Sequence, residues 1–595
     1  KQLSAHSLKF GFSMEFGYEN GPGAGGWVTA PQFSFSQGFT SGPNVVPGLT
    51  TSGNALASLL LGTGSGGNGA ITAPLAEGHH DYGLYLQDAW RVNRRLTLNV
   101  GLRYELQQPS TDRYNRYSSF NSTIPSPLAG PAGLPLKGGL VFLKDTNLGR
   151  GAWDTQHTNF SPRVSFAYKL TDKLVARGGY GIFYLPLLGL GTLDGYSLNT
   201  NFQTSVGGAG QVPLDVLSNP FPRGLQAPPG SALGLLTDVG AGVPFQQRHS
   251  PNGYVENYSF DLQYQIGSSS VLEVGYSGNQ GHHLTYNASI NVDQLNPQYL
   301  SLGNQLNAQV PNPFYGTAGA TGVYTGPTTA LWRLLVPYPQ FTGVSLQAPP
   351  AANSNFNALI VKFSHRMSHG LTTMVNYQFA KAIDDASETQ AWEEHDSGTR
   401  DAYNWNLDRS ISAHDIPQSL ALTLVYDIPV GKGRTFGTNM NKIVEGVAGG
   451  WQVASIMNWQ TGIPDYMTAP GNGFGFAYQP PNITKGSDIP VQNQSVQEWF
   501  NTAAFSKPAT YTIGTAPRRI TQLRQDGVHS ADVSVMKNFM VREPLKLQVR
   551  AEFFNISNTP QFAAPNTSVG SNTFGQVTGL WNTPRDIQFG LRLDF

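Results

Sequence analysis

Apolar and polar positions alternate with a period of two along much of the chain, and no helical period runs to comparable length. Phe589, Leu591, Leu593 and Phe595 interleave with Gln588, Gly590, Arg592 and Asp594, and Leu545, Leu547, Val549, Ala551 and Phe553 with Lys546, Gln548, Arg550 and Glu552. The same pattern sets Tyr258, Phe260, Leu262, Tyr264 and Ile266 against Ser259, Asp261, Gln263 and Gln265. It also sets Leu96, Leu98, Val100, Leu102 and Tyr104 against Thr97, Asn99, Gly101, Arg103 and Glu105. Successive side chains of a strand point to opposite faces, so these segments make strands with one apolar and one polar side. About fourteen strands are predicted, at 7–18, 79–90, 95–107, 160–170, 173–184, 254–266, 270–278, 354–366, 370–381, 416–427, 450–460, 530–540, 544–554 and 585–595. A tilted strand of ~10 residues is long enough to cross a bilayer.

The connections sharpen this. Asn93-Arg94, Thr171-Asp172, Gly267-Ser268, Ser368-His369 and Arg542-Glu543 mark tight turns, whereas 185–253, 279–353 and 461–529 are long and rich in Gly, Pro, Asn and aromatics. Short and long connections alternate down the chain, as in outer-membrane barrels with short periplasmic turns and long extracellular loops. A soluble sandwich has no reason for that alternation. The fold class predicted is therefore all-β, a large antiparallel transmembrane β-barrel. If strand 7–18 runs outward, the last of fourteen ends with Phe595 at the periplasmic rim. Segment 428–449 strains the pattern, as a periplasmic turn of about twenty residues.

The polar face carries Arg550, Glu552, Arg592 and Asp594, which would be costly in a packed dry core unless paired. In a wide barrel they line a wet lumen, so these four are the lumen-facing candidates. Trp90, Trp451, Phe539 and Phe595 fall at predicted periplasmic strand ends, where an interfacial aromatic girdle belongs. Asp88 and Lys537 are exceptions, in phase with the lipid face and tolerable near the interface.

Composition agrees. Charged residues make up 12% of the 595 residues, against roughly 25% in ordinary soluble domains. Yet no run approaches the ~18–20 apolar residues of a transmembrane helix; the longest candidate is Leu56 to Leu61. A barrel spreads its lipid face over alternate residues instead. Zero net charge gives no indication of a nucleic-acid partner. With no Cys there is no disulfide framework, thiolate zinc site or thiol nucleophile. The sequence starts at Lys1 without a signal-like segment, so this start is expected to be a processed terminus or a break inside a longer protein.

Candidate chemistry is sparse. Glu393, Glu394, His395 and Asp396, with Asp384 and Asp385, offer clustered oxygen ligands for a hard cation, but in a predicted surface loop and without EF-hand spacing. His79-His80 and His282-His283 sit beside strand ends, and adjacent strand residues face opposite ways, so one metal would need a kink. The Gly-rich run 62–69 has no following Lys for a P-loop and is expected to be a flexible outer loop. No motif assembles a nucleophile, a base and an orienting acid. No catalytic, metal or cofactor site is assigned.

Several segments resemble a known family. Tyr82-Gly-Leu-Tyr-Leu-Gln-Asp-Ala-Trp90 with Arg95-Leu-Thr-Leu-Asn-Val-Gly-Leu-Arg-Tyr-Glu105, then Ser161-Pro-Arg-Val-Ser-Phe-Ala-Tyr168 and Arg177-Gly-Gly-Tyr-Gly-Ile-Phe-Tyr184, are similar to the barrel of TonB-dependent outer-membrane receptors. So are Val274-Gly-Tyr-Ser-Gly-Asn-Gln-Gly-His-His-Leu284, Asn357-Ala-Leu with His365-Arg366, Asp427-Ile-Pro-Val-Gly-Lys-Gly433, Gly450-Trp-Gln-Val453 and Ala551-Glu-Phe-Phe-Asn-Ile-Ser-Asn558. The ordered set covers nearly the whole chain and resembles most narrowly the Oar-like group. The resemblance implies a twenty-two-strand barrel with an N-terminal plug, of which these would be the last fourteen strands. Residues 1–595 are then expected to be barrel throughout. No plug, TonB box or carboxypeptidase-regulatory-like domain is recognisable in them.

By the same resemblance the chain is a surface receptor and transporter, not an enzyme, in the bacterial outer membrane. Its implied partners are membrane lipid, the TonB complex through the N-terminal part, the barrel-assembly machinery through Phe595, and a glycan, peptide or siderophore ligand. The alternative is a surface structural or adhesive β-protein without transport; an outer-membrane hydrolase barrel ranks third.

Overall fold

The computed structural model describes residues 2–21, 30–41, 53–186, 191–205, 212–286, 289–317, 322–386, 398–471, 473–542 and 544–595. Fourteen strands form one antiparallel meander: β1 (His6–Gly21), β2 (Leu75–Arg91), β3 (Leu96–Gln107), β4 (Phe160–Lys169), β5 (Leu174–Tyr184), β6 (Tyr254–Ile266), β7 (Ser270–Thr285), β8 (Pro350–Ser368), β9 (Leu371–Asp384), β10 (Gln418–Asp427), β11 (Trp451–Gln460), β12 (Val528–Arg542), β13 (Leu545–Phe554) and β14 (Asp586–Asp594). Each pairs with the next, and among the described residues no ladder joins β1 to β14. Several strands run past their predicted ends: β1 has 16 residues, β2 has 17 and β8 has 19.

Directly opposite residues of antiparallel strands share a face, so the register carries the two-sided pattern across the sheet. Phe12 lies opposite Leu84, Leu84 opposite Tyr104, and Tyr104 opposite Phe160. At the other edge Leu547 faces Leu593, Val549 faces Leu591 and Ala551 faces Phe589. The intervening rows pair Gln548 with Arg592 and Lys546 with Asp594. The apolar face is bare: Phe589 is 79% and Leu591 76% exposed. Leu547 and Val549 are half-buried by their neighbours, in no dry core.

Most large buried apolar side chains lie instead in the long connections. Phe120, Leu140, Val239, Phe314 and Phe341 form one core, drawn from the connections after β3, β5 and β7. Met467, Trp499, Phe500 and Val577 form another, from those after β11 and β13. The outer loops are thus a packed cap over one end of the sheet. The Gly-rich run at 62–69, expected to be a flexible loop, is part of it: Gly66–Thr72 is a strand paired with Gln32–Ser34 and Ser197–Asn201. No single-segment pattern announces such pairing, because its partners come from distant loops.

The short turns are locally encoded. Asn93 Oδ1 accepts the Arg95 and Leu96 amides (2.8 and 2.9 Å), and Thr171 Oγ1 those of Lys173 and Leu174 (3.2 and 3.1 Å). Between β8 and β9 the turn is His369-Gly370, one residue beyond the predicted pair. Both have positive φ (53° and 83°), as the tightest hairpins require. Glu543 lies outside the described residues. Segment 428–450 is more than the extended turn the sequence suggested: it contains a helix, α1 (Lys442–Ala448).

Placing Arg at position 591 puts a charge near the middle of the apolar face and should cost about 2–4 kcal/mol. Arg592→Leu, on the polar face, should change stability far less. Denaturant unfolding of both variants in vesicles checks the assignment of faces; equal losses would contradict it.

Candidate functional site

The polar face of β2 to β8 lines a cavity of 670 Å³ bordered by Tyr85, Asn99, Arg103, Arg163, Ser259 and Phe356. Its large side chains lie across glycines of neighbouring strands. A Cβ on Gly11 would sit 2.7–2.9 Å from the Tyr85 ring, and one on Gly83 would sit 2.5 Å from Arg103 Nη2. The glycines therefore act as seats that let long side chains lie flat along the wall. Arg103 Nε pairs with Glu105 at 2.7 Å, and further along the same face Lys362 pairs with Glu273 at 3.0 Å. Arg163 also stacks 4.3 Å from the Phe183 ring centre.

Nearer the cap, a second cavity of 850 Å³ is lined by Glu15, Glu19, Glu77, His79 and Asp81 from β1 and β2, and by Trp153 from the cap. Its chemistry is an acidic mouth beside an aromatic ring, suited to cationic or hydroxyl-rich groups. Elsewhere the cap is pinned by the buried Arg518 and Arg400 and the half-buried Arg524. Arg518 pairs with Asp384 and donates from Nε to the Asp408 carbonyl (2.9 Å). Arg400 donates to the Ala516 carbonyl (2.7 Å). Arg524 meets Asp415 at 2.6 Å and also donates to the Asp415 and Gly462 carbonyls. These residues tie the connection after β9 to that after β11. Sequence reasoning missed them; the only available signal was Arg518-Arg519 within a loop otherwise poor in charge.

The four lumen-facing candidates share one face, as two pairs: Arg550 Nε to Glu552 at 3.6 Å, Arg592 Nε to Asp594 at 2.8 Å. They lie on β13 and β14, away from both cavities. Trp90, Trp451 and Phe539 all fall at the short-turn end, in the apolar rows. Phe595 follows β14 and is 93% exposed.

The two misfits on the apolar face have partners. His6 Nδ1 lies 2.7 Å from Asp88, and the His6 ring stacks on Trp90. Lys537 donates to the Val447 and Gly449 carbonyls (3.1 and 2.5 Å). Two more went unnoticed in the sequence: Asn357 Oδ1 accepts both Tyr258 and Tyr276 hydroxyls (2.8 and 2.6 Å), and Glu256 accepts the Tyr180 hydroxyl at 2.9 Å.

Of the candidate cation cluster, Glu393 to Asp396 lie outside the described residues. Asp384 is engaged by Arg518, and Asp385 accepts the Asn353 amide (2.6 Å). His79 faces the acidic cavity, whereas His80 lies against Tyr18 on the opposite face. At His282-His283 the strand does kink: His283 has φ 53°, the register shifts, and both rings pack on Tyr254 (5.1 and 6.3 Å). Among the described residues no group of three metal-ligating side chains converges.

Residues 1–588 match the family model described as "Outer membrane beta barrel domain". No curated protein matches the chain. Among solved structures, the ferripyoverdine receptor of the Pseudomonas aeruginosa outer membrane aligns at 11% identity and TM-score 0.37, covering 88% of this chain and 40% of that one. The copper transporter OprC aligns at 9% identity and TM-score 0.40, covering 100% and 55%. The outer-membrane transporter YddB from Escherichia coli aligns at 9% and 0.37, covering 88% and 55%. The chain thus spans about half the length of these proteins.

Within the cap, burial pushes the Asp194 carboxyl up to about 6, against the Ser118 hydroxyl that donates to it at 2.5 Å. Asp238 nearby adds to the rise. The folded state therefore binds a proton between pH 4 and 6 that the unfolded chain has released, so the cap loses stability as pH rises through that window. A shift of this size corresponds to about 3 kcal/mol at neutral pH. Hydrogen exchange of amides around 191–201 should be slower at pH 5 than at pH 7.5, after correction for intrinsic rates. Asp194→Asn should abolish the difference; an unchanged difference would assign it to another group.

Proposed function

Because the chain belongs to the outer-membrane β-barrel domain family, with its place in the bacterial outer membrane, we propose that it is the barrel of a TonB-dependent receptor and transporter. The observation that carries this reading is the continuous polar wall beneath a packed cap, with the acidic cavity between them. A ligand caught at the cap would meet Glu15, Glu19, Glu77 and Asp81 first and then the arginines of the wall. A siderophore, glycan or peptide suits that order: aromatic and acidic groups outside, mixed charges within. Arg550, Glu552, Arg592 and Asp594 would line the same water-filled lumen.

Among the described residues β1 and β14 do not pair with each other, which supports a wider barrel, since unpaired backbone groups cannot face hydrocarbon. In this reading the further strands and the gating plug that engages the TonB complex lie outside residues 1–595. The packed cap also suits a surface-adhesive role without transport.

Uptake separates the two. Cells producing the full natural protein should accumulate a bound glycan, peptide or ferric siderophore, and disabling the TonB complex should abolish accumulation but leave surface binding. Binding with no accumulation in energised cells would favour the adhesive role.

The exposed Phe595 supports a role in assembly. An edge strand ending in an aromatic can pair with the assembly machinery by strand addition, and Trp90, Trp451 and Phe539 would anchor the finished barrel at the interface. Phe595→Ser should reduce the outer-membrane fraction and raise periplasmic degradation while leaving the inserted protein's stability nearly unchanged. Fractionation after expression reads this; equal membrane levels would limit Phe595 to the girdle.

A further inference from the structure

Helix α1 lies on the outside of the wall. Its N-terminus is capped by Asn441, whose side chain accepts the Ile443 and Val444 amides (3.1 and 2.9 Å). Its C-terminal carbonyls receive the Lys537 ammonium, from Val447 at 3.1 Å and Gly449 at 2.5 Å. Lys537 belongs to the apolar face of β12, between Trp451 and Val549 in its row, and is only 3% exposed. The helix end is therefore clamped to the face that meets lipid, not to the lumen. The arrangement is electrostatically favourable, since the negative end of the helix dipole meets a cation. The Trp451 and Phe539 rings flank Nζ at 5.2 and 5.1 Å. Trp451 Nε1 adds a bond to the Val447 carbonyl (2.8 Å).

The helix turns its acid inward and its apolar side chains outward. Glu445 accepts the Lys432 amide (2.9 Å), and a Cβ on Gly431 or Gly449 would approach its carboxylate to 2.7 or 2.5 Å. Those two glycines make room for Glu445 to fold under the turn. Ile443 and Val447, one helical turn apart, are left 81% and 69% exposed, with Val444 and Phe436 also exposed. Lys432 and Lys442 are exposed around them, as is Arg434, which pairs with Asp427 at 3.6 Å. An apolar stripe with basic flanks, continuous with a lipid-facing sheet, has the character of a helix lying in a membrane interface.

We propose that residues 428–450 are an interfacial anchor seated in the periplasmic phospholipid leaflet. Ile443, Val444 and Val447 enter the acyl region, and Lys432 and Lys442 reach headgroup phosphates. Lys537 is the positioning residue that holds the helix at this depth. Two observations single out lipid as the occupant: the stripe continues the apolar face of the sheet, and its flanking charges complement anionic headgroups. The periplasmic side follows from the short-turn end of the sheet.

Residues 1–595 contain no cysteine, so nitroxide labels can be placed singly at 443, 446 and 447 once any cysteine of the natural protein outside these residues is replaced by serine. In the full natural protein, inserted in phosphatidylethanolamine–phosphatidylglycerol vesicles, labels at 443 and 447 should collide with oxygen and lose collisions with a water-soluble nickel chelate. The label at 446 should keep its nickel collisions. Nickel reaching 443 and 447 as readily as 446 would overturn the proposal and leave the stripe for a protein partner. Lys537→Met should sharpen the spectrum of the label at 447, by releasing the helix, and Lys537→Arg should restore it. A spectrum unchanged in the Met variant would remove Lys537 as the positioning residue.

Discussion

Every backbone N–H and C=O in contact with hydrocarbon must find its partner within the protein, and no water is there to substitute. In this molecule that demand is met laterally, strand to strand, from β1 to β14. The remaining choices follow from it. Once the ladder supplies the hydrogen bonds, side chains are released from building a core beneath the sheet. One face can be apolar and bare while the other is polar and wet. The usual arrangement of a folded domain is inverted: Phe589 and Leu591 point outward from the sheet, while the close-packed cores around Phe341 and Phe500 lie in the loops.

The same constraint explains how polar groups survive on the apolar face. Asp88 (through Oδ2), Asn357 and Lys537 each sit in an apolar row, and each meets a side chain or carbonyl there. A buried donor or acceptor left unanswered costs about 1–3 kcal/mol, and a charge costs more. The partners differ in kind: an imidazole stacked on Trp90, two tyrosine hydroxyls, and the end of a helix. The local geometry could thus be solved separately at each site.

The strands were legible because their information is local. Alternation over 544–554 and 585–595 is sufficient to define β13 and β14 to within a residue, and Asn93 and Thr171 encode their turns through their own side chains. The His369-Gly370 turn was misplaced by one residue because a left-handed histidine is not what its neighbours suggest. The cap was illegible for the opposite reason. Phe120 packs with Phe341, and Arg518 with Asp384, across stretches whose own patterns are irregular. Lys537 stands out as an anomaly, but nothing in strand periodicity points to its partners, the carbonyls of the long 428–449 connection. The site was visible as a polar face; its acidic mouth was not, since it depends on which strand ends the cap covers.

The length of the links within the cap sets an order of events. Gln340 donates to the carbonyl of Lys137 across 203 residues, Asn307 to Tyr511 across 204, and Arg518 reaches Asp384 across 134. Contacts between such distant residues carry a large loop-closure entropy unless something else has already brought them together. The meander does that, because each neighbouring hairpin shortens the effective path between loops at the same rim. The cap is therefore a late-forming structure that registers whether the strands beneath it are in order. A single strand slipped by two residues would keep every side chain on its proper face, yet would move the loop ends by nearly 7 Å. The buried arginines would then miss their carboxylates, so the outer surface proofreads the wall.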